Sequence, residues 1–283
     1  MPAKRLLSFL LHALLFFFAA LTLIPFVYML CGALKSKFDF AATVFLPAGD
    51  GWFGIGWDRL TLESFTRLFT DLGLPRALHN SLLLASVSSI LTVLCCAMGG
   101  YALAKHKFRG QNLVMGVVLA ALIIPGPLLL APSFQLLYKL DLLDTYTGLL
   151  LPGLAPAFGV FLFRQSMINS VPNELLEAAR MDGAGEFRIF FELVLPIIRP
   201  MLGAFLMISF MGMWNNFIGP QIILQSPELH PLSVALNNLK GIYGTDYGLI
   251  MAGTLVSIAP VMCLFLLLQK EFISGLTSGA VKG

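Results

Sequence analysis

The chain has 283 residues, with 58% hydrophobic and only 12% charged side chains, a net charge of +3 and a mean hydropathy of +0.85. A soluble globular domain carries about 25% charged residues. The composition excludes a disordered chain, a coiled coil and a disulfide scaffold, argues against a water-soluble enzyme or a nucleic-acid binder, and leaves room for six or seven spans at about 20 residues each.

Leu6 to Leu34 holds no charge and follows Lys4 and Arg5. It is too long for the apolar core of a signal peptide, and no small-x-small cleavage site follows it cleanly. It reads as a retained first span. An outer segment, 35–76, comes next. Its run Gly49-Asp50-Gly51-Trp52-Phe53-Gly54-Ile55-Gly56-Trp57 suits an irregular, partly packed lobe at the membrane edge. Thr61 then caps a helix with Glu63 in its first turn.

Five further uncharged stretches run roughly Ala77 to Ala104, Gln111 to Ala131, Gly148 to Phe163, Met201 to Leu224 and Tyr247 to Gln269. Each approaches the length of a helical span. Pro152 and Pro156 are tolerable in the fourth span because neighbouring helices re-satisfy the freed backbone. With both termini inside, eleven Lys and Arg fall on the inner side and seven on the outer, in the sense of the positive-inside rule. The short Lys105–Arg109 loop is its clearest part. The expected organisation is an all-α membrane protein of six transmembrane helices. Region 1–34 carries the first, 35–76 is the outer segment, and 77–283 is a five-helix core with an inner loop 164–199 and a tail 270–283.

The inner loop is too long for a simple connector. Pro172 and Glu174 mark a helix start, Leu175 to Met181 continue it, and Gly183 stops it by accepting a left-handed conformation. A second helix, Glu186 to Leu195, ends before Pro196 and sets Phe187, Phe190 and Phe191 on one side. Small Ala178 and Ala179 beside an aromatic ridge suit a contact surface. A connector lying on the membrane surface fits these residues equally well.

In the fifth span, Trp214, Asn215, Asn216 and Gln221 place an aromatic beside amides. That combination suits a sugar on a transport pathway, or else helix–helix hydrogen bonding. The two asparagines would point about 100° apart on a continuous helix. Met207, Met211 and Met213 read as packing, and His12 and His79 as structural. Cys31, Cys95, Cys96 and Cys263 lie in apolar stretches without C-x-x-C spacing and read as buried free thiols. No His, Cys and carboxylate set has metal-ligand spacing.

Glu177-Ala178-Ala179, then Gly183, then Leu195-Pro196 resembles the EAA loop of binding-protein-dependent ABC importers. Leu193 stands where that family usually has Ile. Pro125, the run Leu142-Leu143-Asp144-Thr145-Tyr146-Thr147-Gly148-Leu149, Phe161 to Gln165 and Trp214 to Phe217 are similar to spans three to five of carbohydrate-type permeases. Gly275 to Gly283 is similar to the tail of smaller permease subunits of maltose-type importers. The resemblance covers the chain from about Ala77 onward.

The resemblance implies a type I importer permease fold in a bacterial or archaeal cytoplasmic membrane, with sugars or oligosaccharides as substrate and glycerol-3-phosphate as the close alternative. It implies a second homologous permease in a heterodimer, an ATPase dimer that holds ATP and Mg, an extracytoplasmic binding protein and surrounding lipid, with no nucleic acid. The chain itself would bind no cofactor or metal and catalyse nothing, and it contains no G-x-x-x-x-G-K-[ST] phosphate loop. Glu177, Ala178, Ala179, Asp182, Gly183, Ala184, Leu195 and Pro196 would couple to the ATPase. Gly279, Lys282 and Gly283 would reach between the ATPase subunits. An ion-coupled secondary transporter is the rival class, but such proteins usually place ionisable residues inside spans, and the six stretches hold no Asp, Glu, Lys or Arg. A membrane enzyme would need clustered chemistry that does not occur here.

Overall fold

The structure is a computed structural model that describes residues 2–241 and 244–280. In chain order the first helices are α1 (Pro2–Ala33), α2 (Lys37–Ala42), α3 (Glu63–Thr70), α4 (Leu74–Lys105), α5 (Gln111–Ala121) and α6 (Leu130–Lys139). Next come α7 (Tyr146–Leu150), α8 (Ala157–Ser170), α9 (Asn173–Met181), α10 (Glu186–Arg188), a π-turn (Ile189–Val194) and α11 (Leu195–Ile197). The last are α12 (Arg199–Trp214), α13 (Ile218–Ile223), α14 (Leu232–Asn238) and α15 (Tyr247–Ala280). Two antiparallel two-residue strands, β1 (Lys240–Gly241) and β2 (Gly244–Thr245), precede α15.

The chain divides into two units. The first comprises Met1–Pro75 and Ala235–Ala259. Its 35–76 lobe is organised by buried charge. Asp39 is buried and takes the guanidinium of Arg59, which also donates to the Ala48 carbonyl at 3.0 Å. Lys35, also buried, donates to the carbonyls of Thr43 and Val44 and lies 5.2 Å from the centre of the Phe40 ring. The glycine-aromatic run folds back on itself, with Gly56 N–H on Pro47 O and Gly49 N–H on Gly54 O, and leaves Trp52 and Phe53 exposed at the tip. The α3 helix begins at Glu63, whose N–H donates to Thr61 Oγ1 at 3.1 Å, so Thr61 sits one residue further out than a regular cap.

The second unit comprises Arg76–Val234 and Pro260–Gly283. Its core gathers residues of α4, α8, the 173–198 segment and α12 around Phe163, Met167 and Val194, all fully buried.

Among the described residues three helices, α1, α4 and α15, are long and apolar enough to cross a membrane, and the number is up to six if each of three bent pairs is one span. The expected continuous third span is broken. Gln111–Ala121 and Gly126–Lys139 meet at 103°, because Pro125 and Pro127 remove backbone donors. The fourth bends by 46° at Pro152 and Pro156. There Thr92 donates its hydroxyl to Gly153 O at 3.3 Å and Cys96 Sγ faces Pro156 O at 3.8 Å. Side chains of α4 thus take up carbonyls released at the break, as lipid requires. The fifth span ends at Trp214 instead of running to Leu224, and α13 resumes after a three-residue break. The last helix passes its expected end at Gln269 and continues to Ala280, so residues 270–280 are helical rather than a loose tail. Cys31 and Cys96 are buried, whereas Cys263 is exposed, contrary to the expectation for all four.

Gly100 lets α4 and α8 touch backbone to backbone. A Cβ there would lie 2.7 Å from both Arg164 N and Phe163 Cβ, while one at the adjacent Gly99 would sit 3.5 Å from Val160 Cγ1. We therefore expect Gly100→Ala to destabilise the protein by about 1–3 kcal/mol through overpacking and Gly99→Ala to be tolerated. Thermal unfolding in detergent, compared between the two variants, checks this; equal melting temperatures would refute it.

Candidate functional site

The 164–199 loop folds around α9. Pro172 stands immediately before the helix, and Glu174 lies in its first turn. Leu176 is buried and anchors α9 in the core. At the other end Gly183 has φ +80°, its N–H donates to Arg180 O at 3.0 Å, and the Ala184 N–H donates to Ala179 O at 3.0 Å. This pair of bonds is a Schellman turn, which satisfies terminal helix carbonyls only when a left-handed residue follows the cap. Ala179 and Ala184 pack on the core beneath it. Glu177, Ala178, Met181 and Asp182 remain exposed on the outer face.

The second helix differs from expectation. It does not stop before Pro196. A π-turn, closed by the Leu195 N–H on Phe190 O, carries the chain into α11, with Pro196 in its first turn, where no helical N–H is needed. Leu195 is half-buried and Pro196 exposed. The aromatic ridge is split: Phe187 and Phe191 are exposed, while Phe190 is buried 5.5 Å from Tyr101.

Arg180 does not pair with Glu177. It reaches forward to Glu186, Nε to Oε1 at 2.7 Å. The same carboxylate accepts from the Tyr101 hydroxyl at 2.9 Å and lies 3.4 Å from His106 Nε2. These contacts, the Arg180 bond foremost, hold the Glu186 carboxyl below the usual carboxylate range. Lys105, the last residue of α4, donates to Val171 O at 2.6 Å and Asn173 Oδ1 at 2.9 Å, where α9 begins. The sequence marks Lys105 only as part of a basic cluster and Glu186 only as a helix start, and it does not mark Tyr101. The signal available was charge and aromaticity at the ends of apolar stretches.

The expected pathway residues do not share one helix face, because the helix ends among them. Trp214 is buried and stacked on Phe210 at 5.7 Å, so its ring faces packing rather than a ligand. Asn215 is exposed at the end of α12. The Asn216 side chain accepts from the Gly219 N–H at 3.2 Å, capping α13, and its carbonyl accepts from the Ser233 hydroxyl at 2.8 Å. Gln221 is exposed on α13. Of the methionines, Met207 is buried in the core as packing, while Met211 is exposed. Gly279 lies in α15; Lys282 and Gly283 lie outside the described residues.

Asp144, which the sequence marks only as part of the Leu142 to Leu149 run, organises the loop after α13. Asp144 accepts from the N–H groups of Gln225 and Ser226 at 2.7 and 2.8 Å and from the Ser226 hydroxyl. The Ser226 hydroxyl and backbone donors hold its carboxyl below the usual range. Asn80 donates to Glu228 O and His230 O, and Ser81 accepts from the Leu232 N–H.

Residues 96–270 match the family described as "Binding-protein-dependent transport system inner membrane component". The chain is 40% identical over 225 residues to the arabinooligosaccharides transport system permease protein AraQ of Halalkalibacterium halodurans, covering 79% of this chain and 80% of that protein. It is 30% identical to the lactose transport system permease protein LacG of Rhizobium radiobacter, over 99% of this chain and 98% of that one. In fold it is similar to a chain of a bacterial ABC transporter involved in the import of the acidic polysaccharide alginate, with a TM-score of 0.78 over 96% of this chain and 98% of the other, at 21% identity.

The amide cluster makes a separable prediction. Replacing Asn216 by Leu removes the α13 cap and is expected to cost about 1 kcal/mol, while Asn215→Leu leaves stability unchanged. Thermal unfolding of the two purified variants tests this, and equal stabilities would show that the Asn216 cap contributes nothing.

Proposed function

The chain belongs to the family of binding-protein-dependent transport system inner membrane components, and we propose that it is one of two homologous permeases of an ATP-driven importer of sugars or oligosaccharides. Its substrate class rests on relatives named for arabinooligosaccharide and lactose transport. In this reading both termini are cytoplasmic. A partner permease completes the pathway, two ATPase subunits hold ATP and Mg, and an outer binding protein delivers the substrate.

The observation that carries the reading is α9 itself. It is a short helix anchored beneath by Leu176, stopped at Gly183, and presenting Glu177, Ala178 and Met181 outward. Small Ala178 admits a close surface and Glu177 supplies a charge to it. Closure of the ATPase pair on ATP would displace α9 and, through it, the spans. Access to the pathway then alternates by a shift between two populations, each bound differently by ATP and by the loaded binding protein. Asn215 and Gln221, exposed around the break after α12, are the amides free to meet a sugar hydroxyl. Gly279, Lys282 and Gly283 would extend towards the ATPase.

Two experiments test this. In Gly183→Val the left-handed turn costs about 1–2 kcal/mol, so insertion should persist while co-purification of the ATPase and binding-protein-stimulated hydrolysis in proteoliposomes both fall. Glu177→Ala should act in the same direction more mildly. Full docking and full stimulation in Gly183→Val would sink the coupling role of this loop. Separately, the cognate binding protein should show thermal shifts with neutral oligosaccharides. A shift with sn-glycerol-3-phosphate alone would replace the sugar assignment.

A further inference from the structure

The polar contacts around α9 are directed at a single helix. At the start of α9, Lys105 of α4 holds Val171 O and Asn173 Oδ1. Near its end, Arg180 holds Glu186, and Glu186 holds Tyr101 of α4. Asn173 and Arg180 are seven residues apart, or about 10 Å along a helix axis. A helix tied at one point pivots when pushed; a helix tied at both ends moves with its support.

The Glu186 bonds are not needed to form α9. The Schellman turn at Gly183 closes the helix by main-chain bonds alone, and Leu176 supplies its anchor. Arg180 also had Glu177 within i,i+3 reach and does not use it. Glu186 and Arg180 are both partly exposed, with side-chain exposures of 44% and 37%, and ion pairs of this kind contribute little net stability. What the carboxylate adds is a connection from α9 to the buried Tyr101 and to His106 beyond the end of α4.

We infer that Glu186 is a positioning residue: its carboxylate locks α9 to the end of α4, so that displacement of α9 carries α4 with it. This rests on the reading of α9 as the ATPase-docking helix. Lys105 is the second tie of the same clamp. Without Glu186, α9 still docks but swings about its Lys105 end, and the motion is lost before it reaches the spans.

The test uses the assembled importer in proteoliposomes, with substrate transported per ATP hydrolysed as the readout. Glu186→Ala should retain wild-type ATPase co-purification and continued hydrolysis, while transport per ATP falls by about tenfold. Glu186→Gln keeps an acceptor for Tyr101 and should recover part of the ratio. An unchanged ratio in Glu186→Ala overturns the inference. Loss of ATPase co-purification in that variant also overturns it, since the residue would then only shape the docking surface. A Met181→Cys variant, otherwise wild type, tests the underlying reading, because Met181 is 87% exposed on α9. Failure of that cysteine to crosslink to the ATPase overturns the docking reading and the inference with it. A formed crosslink with an unchanged ratio in Glu186→Ala overturns the inference alone.

Discussion

In the larger unit, α4 carries polar ties to other elements at two levels. Asn80 and Ser81 bind the 228–232 segment near one end, while Tyr101 and Lys105 bind the 171–186 segment near the other. Twenty residues separate Ser81 from Tyr101, a rise of about 30 Å. That is the thickness of a bilayer's hydrocarbon core. Between the two levels, the α4 side chains that reach other elements through polar atoms do so at backbone carbonyls: Thr92 at Gly153 and Cys96 at Pro156. The constraint behind this pattern is the absence of water. A proline break in lipid needs its freed backbone groups satisfied again, and hydroxyls within a neighbouring apolar helix do so at small cost.

That constraint also decides what could be read from the sequence. Charge segregation identified six apolar stretches, because a charge in the hydrocarbon core is costly whatever the fold. Continuity was not legible in the same way. Pro125 and Pro127 fall inside the expected third span, Gln111 to Ala131, yet the segments on either side meet at 103°. Hydropathy records the depth of a residue and not the direction of its helix. The break after Trp214 was hidden for a related reason. Asn215 and Asn216 resemble polar residues on a helix face, and only the helix break reveals that Asn215 closes α12 while Asn216 bonds the start of α13.

Local chemistry fared better where one residue sets the backbone. Gly183 was legible as a helix stop because the left-handed conformation excludes most side chains, and its φ is +80°. The pairing of Arg180 was not legible. On a helix Glu177 lies at i,i+3 and Glu186 lies beyond the end, so helical spacing favours the first. The Schellman turn reverses the chain and brings Glu186 back alongside. A tertiary turn thereby overrides a weak local preference of about 0.2–0.5 kcal/mol, and Glu177 is left exposed for another surface.

A nine-residue helix is too short to persist alone in water. The order of α9 is therefore supplied by Leu176 in the core and by the turn at Gly183. This bears on docking as well as on force transmission. A segment that had to fold on contact would lose binding free energy to its own ordering, whereas a preformed helix does not. The bonds of Lys105 and Glu186 fix that preformed helix to α4. Weakening them should then be felt first in how motion passes to α4, because the anchor and the turn that preserve the helix lie elsewhere.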